Sequence, residues 1–195
     1  MENPPKQTIS GHVVPATAIF VTDKCYLRPF EDSDAEAMAL EANDPEVART
    51  LSNAFPKPYT LSDAKSWIQL CRSRQPTVDF AICTLDGAYA GSIGLKDALP
   101  DFKCRTRELG YLLGRRSWGK GIMTSAAHGF ARWAFKEFPD LVRIEAGVFS
   151  SNPASERVLV KSGFVKEGVR RHAVYKDGLI LDNMMFGLTR EDVEG

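Results

Sequence analysis

The sequence predicts a single mixed α/β domain in which about seven strands, most of them antiparallel, form one sheet flanked by about four helices. Three observations support this prediction. The chain of 195 residues is 44% hydrophobic, which is enough for one substantial core. Two apolar runs meet at Asp86 and Gly87, a dipeptide that favours a hairpin turn. From residue 108 onward the hydrophobic period alternates between strand and helix, and a second hairpin follows around residues 176–178.

The individual elements are placed by periodicity and by the residues that start and end them. Ser33 or Asp34 is expected to cap the first helix and Ser62 the second, whereas Asn152, followed by Pro153, is expected to cap the last. The predicted strands of the sheet cover residues 24–28, 80–85, 88–95, 108–113, 141–149, 164–175 and 179–188.

The chain is expected to divide into an N-terminal arm, residues 1–20, the folded domain, residues 21–190, and a short C-terminal tail, residues 191–195. The arm is rich in proline and small polar residues, and a short strand at residues 18–21 is expected where it ends. Within the domain, residues 52–59 contain two prolines and are expected to form a loop. Both a plain connector and a wall of the substrate site remain open for this loop.

Charge and hydropathy exclude several classes of partner. The 25 basic and 25 acidic residues give a formal net charge of zero, so the broad positive field on which nonspecific nucleic-acid binding depends is missing. No apolar run approaches the ~20 residues of a membrane span, and the N-terminus lacks the features of a secretory signal. We therefore expect a cytoplasmic protein with no nucleic-acid or membrane partner, either a monomer or a homodimer.

Cysteine and histidine spacing indicates no metal site. The four cysteines and three histidines are scattered, and no Cys-x-x-Cys pair occurs. We expect reduced thiols, no disulfide framework and no metal. The cysteines are Cys25, Cys71, Cys83 and Cys104.

One stretch carries the strongest chemical signal. A strand at residues 108–113 leads through a basic, glycine-containing turn into a long helix at residues 122–138. Glycine lets backbone N–H groups approach a ligand, and a helix start offers unpaired N–H groups and the positive end of the helix dipole. The stretch therefore predicts a site for a phosphate-bearing cofactor at residues 116–121.

Two phosphate-binding motifs compete for this turn. Residues 114–120 fit the G-x-x-x-x-G-K pattern of nucleotide triphosphate loops, in which the next residue must be Ser or Thr to hold magnesium. That position is Gly121, which argues against the first motif. Residues 116–121, Arg-Ser-Trp-Gly-Lys-Gly, fit instead the pattern Arg/Gln-x-x-Gly-x-Gly/Ala.

The second motif resembles the coenzyme A pyrophosphate loop of the GNAT acetyltransferases, and further matches follow it in order. Asn-Pro-Ala-Ser at residues 152–155, Lys-Ser-Gly-Phe at 161–164 and Glu-Gly at 167–168 are similar to signatures of the RimJ/RimL-type branch. The resemblance extends over residues 24–188 and implies the GNAT fold. In the last strand, where residues 183–185 are Asn-Met-Met, no residue pattern identifies the substrate that would accept the acetyl group.

The resemblance implies an N-acetyltransferase, an acyltransferase that moves the acetyl group of acetyl-coenzyme A directly to a primary amine. The amine is either a protein N-terminus or a small molecule. A noncatalytic module that binds or senses acetyl-coenzyme A is the alternative. The implied cofactor-binding residues are Tyr111, Leu112, Leu113, Arg116, Ser117, Trp118, Gly119, Lys120, Gly121, Asn152 and Ser155.

Two catalytic residues are expected on the same basis. Glu108, on the strand that leads toward the thioester, is the candidate general base, acting through water, and a solvent-facing carboxylate in a salt bridge is the alternative. Ser155 is expected to stabilise or protonate the leaving thiolate, and an ordinary serine in the first turn of a helix is the alternative. Tyr111 and Tyr175 are further candidate acids, although packing is the expected role of both. Trp118 is expected to pack over the coenzyme loop.

Overall fold

The computed structural model describes residues 7–9, 12–96 and 101–194. No helix in this part of the chain is long and apolar enough to cross a membrane. The strands are β1 (Gln7–Ile9), β2 (His12–Val14), β3 (Phe20–Val21), β4 (Cys25–Arg28), β5 (Asp79–Thr84), β6 (Tyr89–Lys96), β7 (Thr106–Leu113), β8 (Arg143–Phe149), β9 (Val165–Lys176) and β10 (Leu179–Thr189). The helices are α1 (Ala35–Ala42), α2 (Pro45–Ala48), α3 (Leu61–Ser73), α4 (Ile122–Glu137), α5 (Pro153–Lys161) and α6 (Arg190–Glu194).

Eight strands form one sheet in the order β3-β4-β5-β6-β7-β8-β10-β9, while β1 and β2 pair in a separate hairpin. Within the described ranges, β7 and β8 are the one parallel pair, and the other neighbours are antiparallel. The prediction of a mixed α/β domain with a mostly antiparallel sheet is confirmed, although there are more strands than the about seven expected. The strands outside the predicted seven are β1 and β2, which form the separate hairpin, and β3, which lies within the short strand expected at residues 18–21.

The sheet lies between two helical layers of unequal extent. On one face, α4 and α5 cover a large buried cluster that contains Phe80, Phe130 and Phe186. On the other face, α1 and α3 cover a smaller cluster, to which the sheet contributes residues from β3 to β7. The half of this second face that belongs to β8, β9 and β10 therefore lies beyond the two helices.

Strand β8 shows the consequence of this open face. The sequence predicts a continuous buried strand at residues 141–149, but within β8 only alternate residues, Ile144, Ala146 and Val148, are buried. Gly147, between two of them, is exposed. Helices cover β8 on one face only, so a burial period of two residues replaces the expected continuous run.

Two helix starts differ from the predicted caps. Thr60, not Ser62, caps α3, because its hydroxyl accepts from Asp63 N–H at 3.2 Å while the Asp63 carboxylate accepts from Thr60 N–H at 2.8 Å. Asp34 stands before α1, but its carboxylate accepts from the Arg28 guanidinium at 2.7 and 2.8 Å and does not cap the helix. This buried ion pair links the start of α1 to β4.

Candidate active site

Strands β7 and β8 separate soon after they begin to pair. Their parallel register covers three residues of each strand and ends at the pair Glu108 and Glu145. Beyond β7, Gly114 donates its N–H to the Ala90 carbonyl at 2.8 Å. Because backbone groups alternate in direction along a strand, the even-numbered residues of β7 bond to β6 and the odd-numbered residues point toward β8. Past Glu108, the backbone N–H and C=O groups of the odd-numbered residues therefore face a gap between β7 and β8.

The backbone groups of Tyr111 and Leu113 face this gap. Leu112, which was predicted as a cofactor contact together with them, is paired with Ser92 and turns its backbone toward β6. The Leu113 carbonyl accepts a hydrogen bond from Trp118 Nε1 at 2.8 Å. A ligand in the gap would therefore meet the N–H of Leu113 and both backbone groups of Tyr111.

The turn after β7 presents backbone N–H groups at the start of a long helix. Gly119 and Gly121 have φ angles of +74° and +76°, a conformation that side-chain-bearing residues rarely adopt. Helix α4 then runs for 16 residues, with no side-chain cap at Gly121 and no acidic residue in its first turn. Its first N–H groups and the positive end of its dipole suit an anion.

The arginines before this turn are held by carboxylates from the end of α1 and the residues after it. Arg116 Nε lies 3.4 Å from Glu41 Oε1, and Arg115 Nη1 lies 3.8 Å from Asp44 Oδ2. Both arginine side chains are largely exposed. A cavity of about 540 Å³ opens between the two segments. Its lining residues are Leu40, Glu41, Asn43, Asp44, Arg115 and Arg116.

Two residues near the turn could not be identified from the sequence. The side chain of Lys24 lies against the turn, since a Cβ added at Gly121 would be 3.3 Å from Lys24 Cε. Glu41 lies over Gly114, where an added Cβ would meet its carboxylate. Both come from the first quarter of the chain and belong to no motif, so only the fold brings them to the turn.

Ser155 and Asn152 come together with Tyr111 at the N-terminus of α5. Tyr111 Oη and Ser155 Oγ share a hydrogen bond of 2.6 Å, and Asn152 Oδ1 accepts from Ser155 N–H at 3.1 Å. Burial raises the pKa of Tyr111 to about 12, although the hydrogen bond to Ser155 lowers it. Tyr111 is therefore a protonated hydroxyl at neutral pH, placed to donate to Ser155.

Glu108 lies on the opposite face of β7 from Tyr111. Its carboxylate accepts from Lys96 Nζ at 2.5 Å, and 43% of the side chain is exposed. The salt bridge considered from the sequence is thus present, with Lys96 as the partner. Glu145 stands directly opposite Glu108 on β8 and binds Lys103 at 3.2 Å. No local signal in the sequence distinguishes this second carboxylate from an ordinary strand residue.

The open face near Glu108 is bounded by a contact between loop 52–59 and the β9–β10 hairpin. Asn53 Nδ2 donates to the Tyr175 carbonyl at 2.9 Å, and Lys57 Nζ donates to Asp177 Oδ1 at 3.2 Å. Tyr175 is 68% exposed, so its ring does not have the packing role expected from the sequence. Burial and the neighbouring Lys57 lower the pKa of Lys176.

Comparisons with known proteins agree with one another. A model of the acetyltransferase (GNAT) domain matches residues 24–165. The chain is 33% identical over 175 residues to "Probable N-acetyltransferase YjcK" of Bacillus subtilis (strain 168), covering 87% of this chain and 96% of that protein. It resembles the structure of ribosomal-protein-S5-alanine acetyltransferase from Vibrio fischeri, with a TM-score of 0.76 and 25% identity over 90% of this chain and 98% of that chain. The spermidine N-acetyltransferase of Vibrio cholerae shares the fold, with a TM-score of 0.75 at 16% identity over 89% and 100% of the two chains.

Proposed function

The chain belongs to the GNAT acetyltransferase family, and from this premise we propose that it moves the acetyl group of acetyl-coenzyme A directly to a primary amine. The observation that carries the proposal is the continuity of the gap with the glycine turn. The gap-facing backbone of β7 leads, through a short turn at residues 114–118, to Gly119 and Gly121 at the start of α4. A ligand with an extended amide-bearing arm and a diphosphate fits such a path, and coenzyme A has both.

The residues of the turn would bind the diphosphate mainly through backbone N–H groups. Gly119 leaves room for the oxygens, since a Cβ there would meet no atom within 4 Å, and Lys120 and Lys24 add positive charge beside the turn. Arg116 would have to share its guanidinium with Glu41, which already lies 3.4 Å away. Along the gap, the backbone of Tyr111 and the N–H of Leu113 would hold the arm as an added strand is held. The cosubstrate supplies the acetyl group as a thioester.

The two proton transfers of the reaction are assigned to opposite faces of β7. We assign Glu108 to the removal of the amine proton, directly or through water, on the face that α1 and α3 leave open. On the other face, Ser155 would give a proton to the departing sulfur and recover one from Tyr111, with which it shares a hydrogen bond of 2.6 Å. The amine therefore loses a proton on one side as the sulfur gains one on the other.

The acceptor in this proposal is an unprotonated primary amine, on a protein N-terminus or on a small molecule. The structural relatives named for a ribosomal-protein alanine and for spermidine give one representative of each class. A peptide with N-terminal alanine and free spermidine are therefore the first two acceptors to compare, with free lysine as a third.

The proposal is tested in two stages. Titration calorimetry with acetyl-coenzyme A should give saturable binding, and thermal unfolding should shift upward with its concentration because it binds the native state. Release of the coenzyme A thiol is then followed with the three acceptors. No binding would refute the proposal. Tight binding without thiol release from an extended panel of amines and N-terminal peptides would favour the noncatalytic sensing module.

A further inference from the structure

Positive charge is concentrated on helix α5 and strand β9, although the whole chain has a formal net charge of zero. Residues 153–176, which contain both elements, carry six lysine or arginine side chains and two glutamates. Both glutamates are already neutralised, since Glu156 accepts from Lys166 at 2.8 Å and Glu167 accepts from Arg143 at 2.7 Å. Four cations of this segment form no ion pair within the described part of the chain: Arg157, Lys161, Arg170 and Arg171.

Helix α5 contributes an exposed face to this region. Arg157 and Lys161 are four residues apart and therefore lie on one side of the helix, and Val160 beside them is 54% exposed. Ser155, which shares a hydrogen bond with Tyr111, stands two residues before Arg157 and thus about 200° away around the helix. The cationic side of α5 is therefore turned away from the proposed cofactor site.

Strand β9 contributes the neighbouring residues and is joined to α5 by the ion pair between Glu156 and Lys166. Val169 pairs with Met184, whose side chain is buried in the cluster that α4 and α5 cover, so Val169 lies on the α5 side of the sheet. It is 48% exposed, and the two unpaired arginines follow it directly. We define the α5–β9 surface as Arg157, Val160, Lys161, Val169, Arg170 and Arg171. It combines two exposed valines with four unpaired cations.

β9 is the outer strand of the sheet, and β10 is its one partner in the described ranges. A free edge can pair with another chain, but this edge is unsuited to a second copy of itself. Its register is irregular, because residues 171–173 stand opposite Asp182 alone. Antiparallel pairing of two copies about the middle of β9 would also place Arg170 of each copy beside Arg171 of the other, and like charges in that position are destabilising. The edge therefore favours a partner of opposite charge.

We propose that the α5–β9 surface docks an extended acidic segment of a partner protein. Carboxylates of the segment pair with the four cations, and its apolar side chains lie on Val160 and Val169. A nucleic acid fits this surface less well, because phosphates gain nothing from exposed valines and the chain as a whole lacks a broad positive field. The inference goes beyond the proposed function and does not rest on it, since the surface lies on the side of α5 away from Ser155.

Two labelled peptides test the surface by fluorescence anisotropy. One is a short repeat of Glu-Glu-Val, and the other has Gln in place of every Glu. At about 50 mM salt the wild-type protein should bind the glutamate peptide about tenfold or more tightly than the glutamine peptide, and this difference should shrink at about 500 mM salt because exposed ion pairs are screened. Equal affinity for the two peptides at low salt would overturn the proposal. So would tighter binding of an oligothymidylate of the same net charge as the glutamate peptide.

Charge-reversal variants locate the binding. Arg157→Glu combined with Arg171→Glu should weaken the glutamate peptide about tenfold or more, because two attractions become repulsions. The matched control combines Lys65→Glu with Lys136→Glu, at two exposed lysines of α3 and α4 that have no ion pair in the described ranges. It changes the net charge equally and should keep the affinity within about twofold. A similar loss in both double variants would attribute binding to net charge and overturn the local surface.

Coenzyme A provides a further check on the wild-type protein. Because the cationic side of α5 is turned away from Ser155, saturating coenzyme A should leave the affinity for the glutamate peptide unchanged. Displacement of the peptide by coenzyme A would assign these cations to the cofactor site and overturn a separate docking surface.

Discussion

The two sides of β7 are built in different ways. The proposed cofactor side takes its strand, its turn and its helix start from one continuous run, residues 108–122, and adds the start of α5. The acceptor side is assembled from β7, β8 and β10 and from a loop that contacts a hairpin 122 residues away, through Asn53 and Tyr175. Backbone chemistry defines the first side, and side chains from distant segments define the second. We therefore expect changes on one side to affect cofactor binding and changes on the other to affect turnover and acceptor recognition.

The largest effect is expected from Gly119→Val. A side chain at φ +74° would both strain the turn and displace the N–H groups that are proposed to bind the diphosphate. Two lost hydrogen bonds to a charged group correspond to an affinity for acetyl-coenzyme A that is weaker by about a hundredfold or more, measured by calorimetry.

Gly178→Val provides the control for backbone strain. Gly178 has φ +85° in the β9–β10 turn, and a Cβ there, as at Gly119, meets nothing within 4 Å. This variant should lose similar stability but keep its affinity for acetyl-coenzyme A. If both variants bound the cosubstrate equally well, the diphosphate would lie elsewhere.

Glu108→Gln is expected to lower kcat by about a hundredfold, since loss of a general base usually has an effect of this order. Acetyl-coenzyme A affinity should stay the same, because Glu108 lies on the other face of β7 from Tyr111. Glu145→Gln is the comparison, because Glu145 occupies the opposing position on β8. A loss of turnover in Glu145→Gln with none in Glu108→Gln would transfer the role to Glu145.

Tyr111→Phe should lower kcat about tenfold and so should Ser155→Ala, while the double variant should be little worse than either, because the two hydroxyls act as one unit. The burial that raises the pKa of Tyr111 to about 12 also fixes the direction of its pH dependence. A proton donor is active below its pKa, so activity should not fall through Tyr111 between about pH 7 and about pH 10. Additive losses in the double variant would show that Tyr111 serves packing alone.

The smallest effect is expected from Asn53→Ala, which removes the hydrogen bond to the Tyr175 carbonyl. One exposed hydrogen bond is worth about 1 kcal/mol, so KM for the acceptor should rise a few-fold while acetyl-coenzyme A affinity stays unchanged. Arg72→Ala, which removes an exposed contact to Asp32 elsewhere on the surface, is the control and should alter neither constant. A change in cofactor affinity would contradict the separation of the two sides.

This difference in construction also explains which features of the site could be predicted from the sequence. Gly121 in place of Ser or Thr, and Asn152 before Pro153, are local signals, and the structure shows the uncapped helix start and the Asn152 cap at those positions. The local sequence could not predict which residues of β8 are buried, since their burial depends on how far α1 and α3 extend across the sheet. The resulting alternation within β8 placed Glu145 and Gly147 on the open face.

Other features of the site depend on chain segments that meet only in the folded protein. The Tyr111–Ser155 hydrogen bond joins a strand to a helix start, and nothing in the sequence around Tyr111 distinguishes it from a packing residue. Lys24 and Glu41 reach the glycine turn from early in the chain. The cap of α3 is a different case, because Thr60 and Asp63 have the spacing of a capping box and their pairing is a local signal in the sequence.

In the proposed site, alternate residues of β7 serve the cofactor half and the acceptor half, so the length of β7 is under an evolutionary constraint. Deletion or insertion of a single residue between Glu108 and Tyr111 would turn the following residues of β7 to the opposite face of the sheet. Residues proposed to contact the cosubstrate would then face the acceptor, and the reverse. Length changes in the loop before β7, or at the β9–β10 turn, carry no such penalty. Homologous sequences should therefore vary freely in length at those two places and keep the spacing from Glu108 to Gly121 constant, even where the acceptor has changed.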